Sequence, residues 1–366
     1  ARWETLPEGE CGLRAPPVGG PIAEEQSVCA LADGSLYCVY RTIAGYRAEC
    51  YSRDGGRIWT PPRYACFTDG RPMKHPRAAT FAWRCGNGRY LCWFHNHGGR
   101  FIGERDDALE TAYEDRNPAW LCAGVEVDTP AGREIAWSEP EIALYDDDPY
   151  VRMSYPDLIE EDGRTFITET QKNSARVHEI PAALLQGMWG TLEAQLGLRT
   201  APPGGDALPG CLLALPEDAA PLPAAAPLPP LPAFRMRDHH APDFRGRDTG
   251  AGVTLELLLA PPDRRTGRIL LDTRDAAGSG FALTTAAGGA LELTLCDGQT
   301  RNHWASDPLP ADRRPHPVVI VIDGGPRIVS FIIDGRFDDG GDCRPFGWGR
   351  FSPLLRHISG APEVRI

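Results

Sequence analysis

Three histidines fall close together: His75 in KHPRA, and His95 and His97 in WFHNHGG. Histidine is the side chain whose proton moves near neutral pH. Beside a uronic acid it can serve as base in an elimination or as acid in a glycosidic hydrolysis. The text H-N-H is shared with a nuclease signature, but the ββα-metal context and a basic surface are both absent. His95 and His97 stand two apart on a strand or its end, so they point opposite ways and make a poor chelating pair. The run Asp146-Asp147-Asp148 lacks the alternating spacing of a calcium loop and reads as a solvated loop ahead of Tyr155. Asp272, Asp275 and His303 have no spacing that joins them into a calcium or sugar site. No C-x-x-C pair is present, which sets a zinc ribbon aside. The sequence therefore names no metal and no cofactor.

The elements that must carry these residues read as all-β. Between about Val28 and His178, apolar runs such as SLYCVYR, ATFAWRC, YLCWFHN and TFITETQ alternate with turns at Asp33-Gly34, Asp54-Gly55, Asn87-Gly88 and Asp162-Gly163. Asn-Gly and Asp-Gly between such runs are hairpin signals, and the spacing predicts antiparallel meanders, roughly three four-stranded units. No βαβ alternation occurs, which disfavours a parallel sheet. PAALLQGMWGTLEAQL, from Pro181 to about Leu196, predicts one amphipathic helix. Residues 201–232 are rich in Pro, Ala, Leu and Gly, and PLPAAAPLPPLP favours polyproline II, so this stretch reads as a linker without a packed core. From about Ala233, VTLELLL, GRILLDTRD, GFALTT, ALELTLCDG, PVVIVIDGG and IVSFIIDG predict a second all-β unit, a sandwich. The chain stops at PEVRI without an obvious closing strand.

Composition agrees. A length of 366 residues suits two or three domains, and 42% hydrophobic with 24% charged residues is ordinary for a soluble globular chain. Forty glycines and 35 prolines suit many turns. A net charge of −12 repels phosphate backbones, so nucleic acid is an unsuitable partner. An acidic sugar stays open, because a local cluster of arginines reverses the field within one cleft. The 11 cysteines cannot pair completely within one chain. Most sit in apolar runs such as LYCVY and YLCWF and read as small buried hydrophobes, a usage that points to a reducing, cytoplasmic compartment. No apolar stretch reaches the length of a membrane span, and ARWETLPEGE is no signal peptide.

The most specific motif is Ser52-Arg53-Asp54-Gly55-Gly56-Arg57-Ile58-Trp59. It fits S-x-D-x-G-x-x-W and resembles the Asp box, or BNR repeat, of sialidase-like propellers. In that motif the Asp accepts turn amides, the glycines take conformations a Cβ forbids, and the Trp packs beneath the blade. Asp128 to Trp137 (DTPAGREIAW) reads as a second, degraded copy. The order of residues around the motif also resembles sialidases: a Glu before a strand, a D-G turn, a strand ending in Arg, then the Asp box. The resemblance implies that Glu25 is the family's glutamate, with Glu24 beside it, and that Arg41 is one member of its arginine triad. Arg116 in DRNPAWL would be another, with Arg84, Arg100 and Arg105 as nearby competitors. Trp137-Ser138-Glu139-Pro140, then Ser154-Tyr155-Pro156-Asp157-Leu158, then a strand containing Glu169, is similar to the segment that carries the family's catalytic tyrosine, which makes Tyr155 its match. The resemblance implies a Tyr155 nucleophile, Glu25 as its base, and Arg41 and Arg116 as a carboxylate clamp. His75, His95 and Asp157 are then further candidates to line the cleft.

These types suit one another chemically. Guanidinium groups bind a carboxylate through paired, charge-assisted hydrogen bonds. A carboxylate nucleophile would be repelled by a charged sugar, whereas a tyrosine hydroxyl is neutral until a neighbouring glutamate takes its proton; a Tyr nucleophile is the recognised exception to the two-carboxylate glycosidase scheme. The implied fold is a partial six-bladed sialidase-type β-propeller over 1–180, a helix and Pro-rich linker over 181–232, and a laminin-G or concanavalin-like β-sandwich over 233–366. The family's first arginine and its acid/base aspartate have no counterpart before Glu25, so the expectation is a weakly active or inactive chain lacking N-terminal blades. The implied function is exo-acting glycoside hydrolysis of a terminal acidic sugar. Two alternatives stand beside it: a non-catalytic glycan-binding protein, and a histidine-dependent uronate-directed glycosidase or lyase.

Overall fold

The computed structural model describes residues 23–104, 115–146, 148–171, 174–200, 211–215, 223–231, 233–234, 252–260, 265–312 and 314–366. Asp147, Arg105 and much of the Pro-rich stretch lie outside these. The chain is all-β, with antiparallel sheets throughout, and it divides into two compact units. The first comprises residues up to Pro203 together with Arg344–Phe346, and the second the remainder. Among the described residues no helix is long and apolar enough to cross a membrane.

In the first unit, β1 (Ala23–Ala30), β2 (Leu36–Thr42), β3 (Ala48–Ser52) and β4 (Arg63–Tyr64) form one meander. A second sheet runs β5 (Phe81–Arg84), β6 (Tyr90–Phe94), β7 (Ala119–Thr129), β8 (Gly132–Trp137), with β9 (Glu141–Leu144) also on β7. The third is β10 (Ser154–Glu161), β11 (Arg164–Gln171) and β12 (Ser174–Ile180). Among the described residues the three meanders thus hold four, five and three strands rather than four each. The extra strand arises because β7 is long: β8 pairs with residues from Gly124 onward and β9 with Ala119 to Leu121, sharing the edge opposite β6. Short helix α1 (Arg100–Gly103) lies between β6 and β7, and α2 (Ala182–Gln195) follows β12.

Leu185, Met188, Trp189 and Leu192 line one stripe of α2 and join the core shared by the second and third sheets. Trp189 Nε1 also donates to the Tyr90 carbonyl at 2.9 Å. The helix therefore packs into the first unit instead of serving as part of a connection.

Ser52–Trp59 folds as a tight turn. Asp54 Oδ1 accepts the amides of Arg57 at 3.0 Å and Ile58 at 2.8 Å, and Ser52 Oγ accepts Gly56 N at 2.9 Å. Gly55 and Gly56 have φ of 74° and 91°, where a Cβ is disfavoured. Trp59 packs on Cys38, Tyr40, Ala48 and Cys50. The stretch read as a degraded second copy is different: it is the β7–β8 hairpin, with Asp128 paired to the Arg133 side chain. Cysteines 38, 50, 85, 92 and 122 are buried and unbridged, and burial pushes the Cys85 thiol up to about 12.

The second unit holds β13 (Ala225–Pro227), β14 (Val253–Leu259), β15 (Ile269–Asp272), β16 (Gly280–Thr285), β17 (Leu291–Cys296), β18 (Arg301–Ala305), β19 (His316–Asp323), β20 (Ile328–Ile333), β21 (Arg336–Phe337), β22 (Gly349–Arg350) and β23 (Glu363–Arg365). They form two sheets, β13-β23-β15-β16-β17-β18 and β14-β19-β20-β21 with β22 on β20. One core joins Phe281, Leu283, Leu293 and Leu295 of the first to Val318, Ile320, Ile322, Val329 and Phe331 of the second, a two-layer arrangement. Two expectations are corrected. The Pro-rich stretch supplies edge strand β13, where Pro227 needs no ladder donor on its open side, and its Leu231 enters the core. PEVRI is also structured, as β23 between β13 and β15.

His316, buried at the start of β19, bonds Asp334 Oδ2 at 2.8 Å and Asp312 Oδ1 at 2.9 Å, and Arg314 shares Asp312. Burial alone would lower the imidazole pKa; the two carboxylates outweigh it, and the net shift is upward. A raised folded-state pKa stabilises fully below the unfolded value of about 6.5 and loses that contribution as pH rises through the folded value. The second unit's melting temperature is thus expected to fall as pH rises above neutrality, and His316→Gln to flatten that slope. An identical slope in the variant, measured by calorimetry across pH 6 to 9, would refute the linkage.

Candidate functional site

The two residues matched to nucleophile and base both sit in one-residue bulges. In β1, Glu24 opposes Arg41 and Ser27 opposes Val39, so one extra residue is inserted and Glu25 takes φ 57°. In β10, Ser154 opposes Thr170 and Asp157 opposes Thr168, and Tyr155 takes φ 48°. Left-handed backbone costs a non-glycine residue on the order of 1 kcal/mol or more, and bulges re-aim side chains. Here they aim Tyr155 and Glu25 at each other across 130 residues of sequence: Tyr155 Oη donates to Glu25 Oε1 at 2.9 Å. Tyr155 is 52% exposed.

Arginines surround this pair. Arg41 Nη1 lies 2.9 Å from Glu25 Oε2, an ion-pair contact rather than an aligned hydrogen bond. Arg41 also donates to Glu24 Oε2 from Nε at 3.0 Å and Nη2 at 2.7 Å. Arg77 grips the same carboxylate, with Nη2 at 3.1 and 3.2 Å from its two oxygens. Arg116 Nη2 donates to the Arg77 carbonyl at 2.9 Å and Nη1 to Ser154 Oγ at 2.7 Å. The network closes on itself, since Ser154 precedes Tyr155.

Its electrostatics follow. The hydrogen bond to Glu25 raises the Tyr155 phenol above its ordinary value, as do burial and the Glu25 charge, against opposition from Arg41 and Arg116. Burial lowers Arg116, and the neighbouring charges of Arg41 and Arg152 lower it further. Burial would raise the Glu24 carboxyl, but its bonds to Arg77 and Arg41 outweigh this and hold it below the usual range.

A second set of charges lies opposite the β10 bulge. Glu169 of β11 faces the extra residue of β10, is fully buried, and pairs with Arg176 of β12. Arg176 Nη1 also binds Asp146 Oδ2 at 2.7 Å, and Asn117 Nδ2 donates to the Asp146 and Asp148 carbonyls at 2.7 and 2.8 Å. The acidic run is thus not a solvated loop at Asp146, which is buried in an ion pair.

Other candidates are placed elsewhere. His75 and His95 are fully buried and do not line the cleft. His75 Nε2 donates to the Ala78 carbonyl at 2.8 Å, its Nδ1 accepts the His95 amide at 3.2 Å, and the two rings stack at 5.9 Å. His97 bonds the Asp115 carbonyl at 2.8 Å. Burial pushes all three imidazoles down, His97 to about 4, so they are neutral props for backbone. Asp157 is exposed and caps the Leu158 amide at 2.9 Å instead of joining the network. Arg84 ends β5 exposed, and Arg100 pairs with Glu104. Asp272 is taken by Arg274 and Arg365, and Asp275 caps the amides of Ala277 and Ser279. Among the described residues no group of three or more His, Cys, Asp or Glu could hold a metal ion.

Arg77 was not foreseen. It sits in KHPRA, two residues after a more conspicuous histidine, and meets Glu24 at a sequence separation of 53. No local pattern announces such a contact.

No protein-family profile matches the chain, and no curated protein does. Among solved structures, an intramolecular trans-sialidase from leech matches at 18% identity and TM-score 0.33, over 45% of this chain and 24% of that one. The intramolecular trans-sialidase from Ruminococcus gnavus matches at 19% and 0.30, over 46% and 34%. Trypanosoma rangeli sialidase matches at 12% and 0.30, over 94% of this chain and 59% of that one. The aligned parts thus span about a quarter to a third of the first two structures, and likenesses of this size are partial.

Proposed function

We propose that the first unit is part of a sialidase-type propeller and that its cleft binds, and slowly cleaves, a terminal acidic sugar. The observation that carries this is the hydrogen bond from Tyr155 to Glu25, set by two bulges and ringed by Arg41, Arg77 and Arg116. In this reading the phenol attacks the anomeric carbon as Glu25 takes its proton, and the buried guanidiniums bind the sugar carboxylate. The phenol's raised pKa makes the base necessary at neutral pH. The Ser52–Trp59 turn is then the Asp box of its blade, and the second unit a laminin-G or concanavalin-like module. The histidine-dependent alternative loses its groups to burial.

The acid that protonates a leaving oxygen has no assigned residue, so activity is expected on an activated aryl sialoside and not on an alkyl sialoside. The test is release of the phenol at neutral pH, alongside calorimetric binding of N-acetylneuraminate. Absence of both binding and release would refute the reading. Cleavage of alkyl sialosides at ordinary sialidase rates would show that an acid is present after all.

A further inference from the structure

Two pairs of cysteines face each other across neighbouring strands, at matching places in the first two sheets. Cys38 of β2 lies directly opposite Cys50 of β3, and Cys92 of β6 directly opposite Cys122 of β7. All four are buried and unbridged. Directly opposed residues of an antiparallel pair project to one face, so each pair of thiols shares a side. The two pairs differ in what holds the sulfur. Cys92 Sγ accepts a hydrogen bond from Nη1 of the fully buried Arg47, so that sulfur is already engaged. Cys38 and Cys50 hold each other through a thiol–thiol hydrogen bond. They sit in one apolar cluster with Tyr40 and Ala48, against which Trp59 of the Ser52–Trp59 turn packs.

Backbone geometry sets their separation. Tyr51 turns its amide and carbonyl toward Thr60, at 3.0 and 2.8 Å, so its neighbour Cys50 turns its own toward β2. Cys38 and Cys50 are therefore a hydrogen-bonded pair, with Cα atoms about 5.5 Å apart, inside the range a disulfide spans. Their Cβ atoms stand near the wide end of about 4.5–5.5 Å and must close to about 3.5–4.5 Å for the bond to form. A disulfide made that way stores strain and is more readily reduced. We propose that Cys38 and Cys50 close into a labile cross-strand disulfide, a redox-sensitive clasp between β2 and β3, while Cys92 and Cys122 stay reduced. The clasp is independent of what the cleft binds. Two S–H bonds break and one S–S bond forms; two electrons and two protons pass to an oxidant of the disulfide class, such as glutathione disulfide, which leaves as two thiols. The hydrogen bond to Cys38, together with burial, holds the Cys50 thiol well above its ordinary value. Thiolate is the attacking species, so exchange requires the Ser52–Trp59 turn to open or takes place as the chain folds.

The experiment refolds the full chain in glutathione buffers poised from oxidising to reducing. It uses the wild type and, in parallel, a Cys211→Ser, Cys343→Ser chain whose exposed thiols cannot scramble. Free thiols are alkylated in denaturant, disulfides are mapped by peptide mass, and thermal melts report folding. In the oxidising buffer most chains are expected to carry Cys38–Cys50, with Cys92 and Cys122 alkylated. Transfer of the folded protein to reduced glutathione is expected to open the bond in all but about a tenth of the chains, whereas an unstrained structural disulfide resists that pool. Full alkylation of Cys38 and Cys50 after oxidising refolding overturns the inference. So does a Cys92–Cys122 bond in comparable yield, or a Cys38–Cys50 bond that reduced glutathione leaves intact.

Discussion

Tyr155→Phe is expected to reduce release of an aryl leaving group by at least about 10²–10⁴-fold, the range that positioned proton transfer alone commands. The substitution deletes one oxygen and leaves the ring. That oxygen is the donor to Glu25 and, under the proposed mechanism, the attacking atom, so its loss would remove bond formation and proton transfer together. The fold should tolerate the change. Tyr155 is half exposed, and a lost hydrogen bond there costs about 0.5–1.5 kcal/mol. Binding of N-acetylneuraminate should be retained within a few-fold, because Arg41 and Arg116 keep their own anchors in Glu24, Glu25 and Ser154. Glu25→Gln makes a sharper comparison. It keeps an acceptor for the phenol but cannot take its proton, so kcat should fall while KM changes little. A fluorinated sialosyl donor should label wild-type Tyr155 covalently, read by peptide mass, and leave Tyr155→Phe unlabelled. Label on another residue, or unchanged turnover in Tyr155→Phe, would remove Tyr155 from the mechanism.

Why was this pair legible in the sequence while its surroundings were not? Strands and turns announce themselves locally: period-two patterning in VTLELLL and PVVIVIDGG becomes β14 and β19, and Asp33-Gly34 and Asn87-Gly88 become turns with glycine φ of 85° and 81°. The Ser52–Trp59 turn is equally local, its bonds spanning four residues or fewer. Tyr155 and Glu25 were found only through the order of motifs around them. Nothing in EEQ or SYPD announces a bulge, because a bulge is set by how the partner strand is registered. Arg77 and Arg176 were missed for the same reason: each finds its carboxylate on another loop or strand, at separations local patterning does not reach for Arg77 and with no motif at Arg176. The histidines misled in the opposite direction. Their chemistry drew attention, but an imidazole bonds a backbone carbonyl as readily as a substrate, and burial decided for the former. The Pro-rich stretch misled through composition. Proline excludes a central strand, yet Ala225–Pro227 needs only an edge.

Glu169→Ala is expected to be the most destabilising single change near the site, by about 3–5 kcal/mol in the first unit, because it breaks a buried ion pair from one side. Glu169 is fully buried on the inner face of β11, sharing that face with Ile167, and Arg176 opposite it is largely shielded. Remove the carboxylate, and Arg176 keeps only Asp146 of its two acidic partners. The guanidinium must then take on water within the sheet or swing out, and either exit disturbs the strand that backs the Tyr155 bulge. Surface pairs elsewhere in the unit, such as Arg164 with Glu179, should by contrast cost little when broken, since solvent screens them. The double replacement Glu169→Leu with Arg176→Met, made in an Asp146→Asn background so that the buried Asp146 carboxylate is not left without Arg176, discriminates charge from packing. If the cost is the stranded guanidinium, the double variant recovers most of the loss, since apolar side chains of similar volume often replace a buried pair without penalty. Urea unfolding followed by tryptophan fluorescence would measure this, with an unchanged m-value required for the comparison. A cost below about 1 kcal/mol for Glu169→Ala would mean that the bulge is held by β10 and β1 alone. A loss of about 3–5 kcal/mol, recovered in the double variant together with turnover, would make Glu169 a positioning residue: a charge buried to hold Tyr155 where Glu25 can reach it.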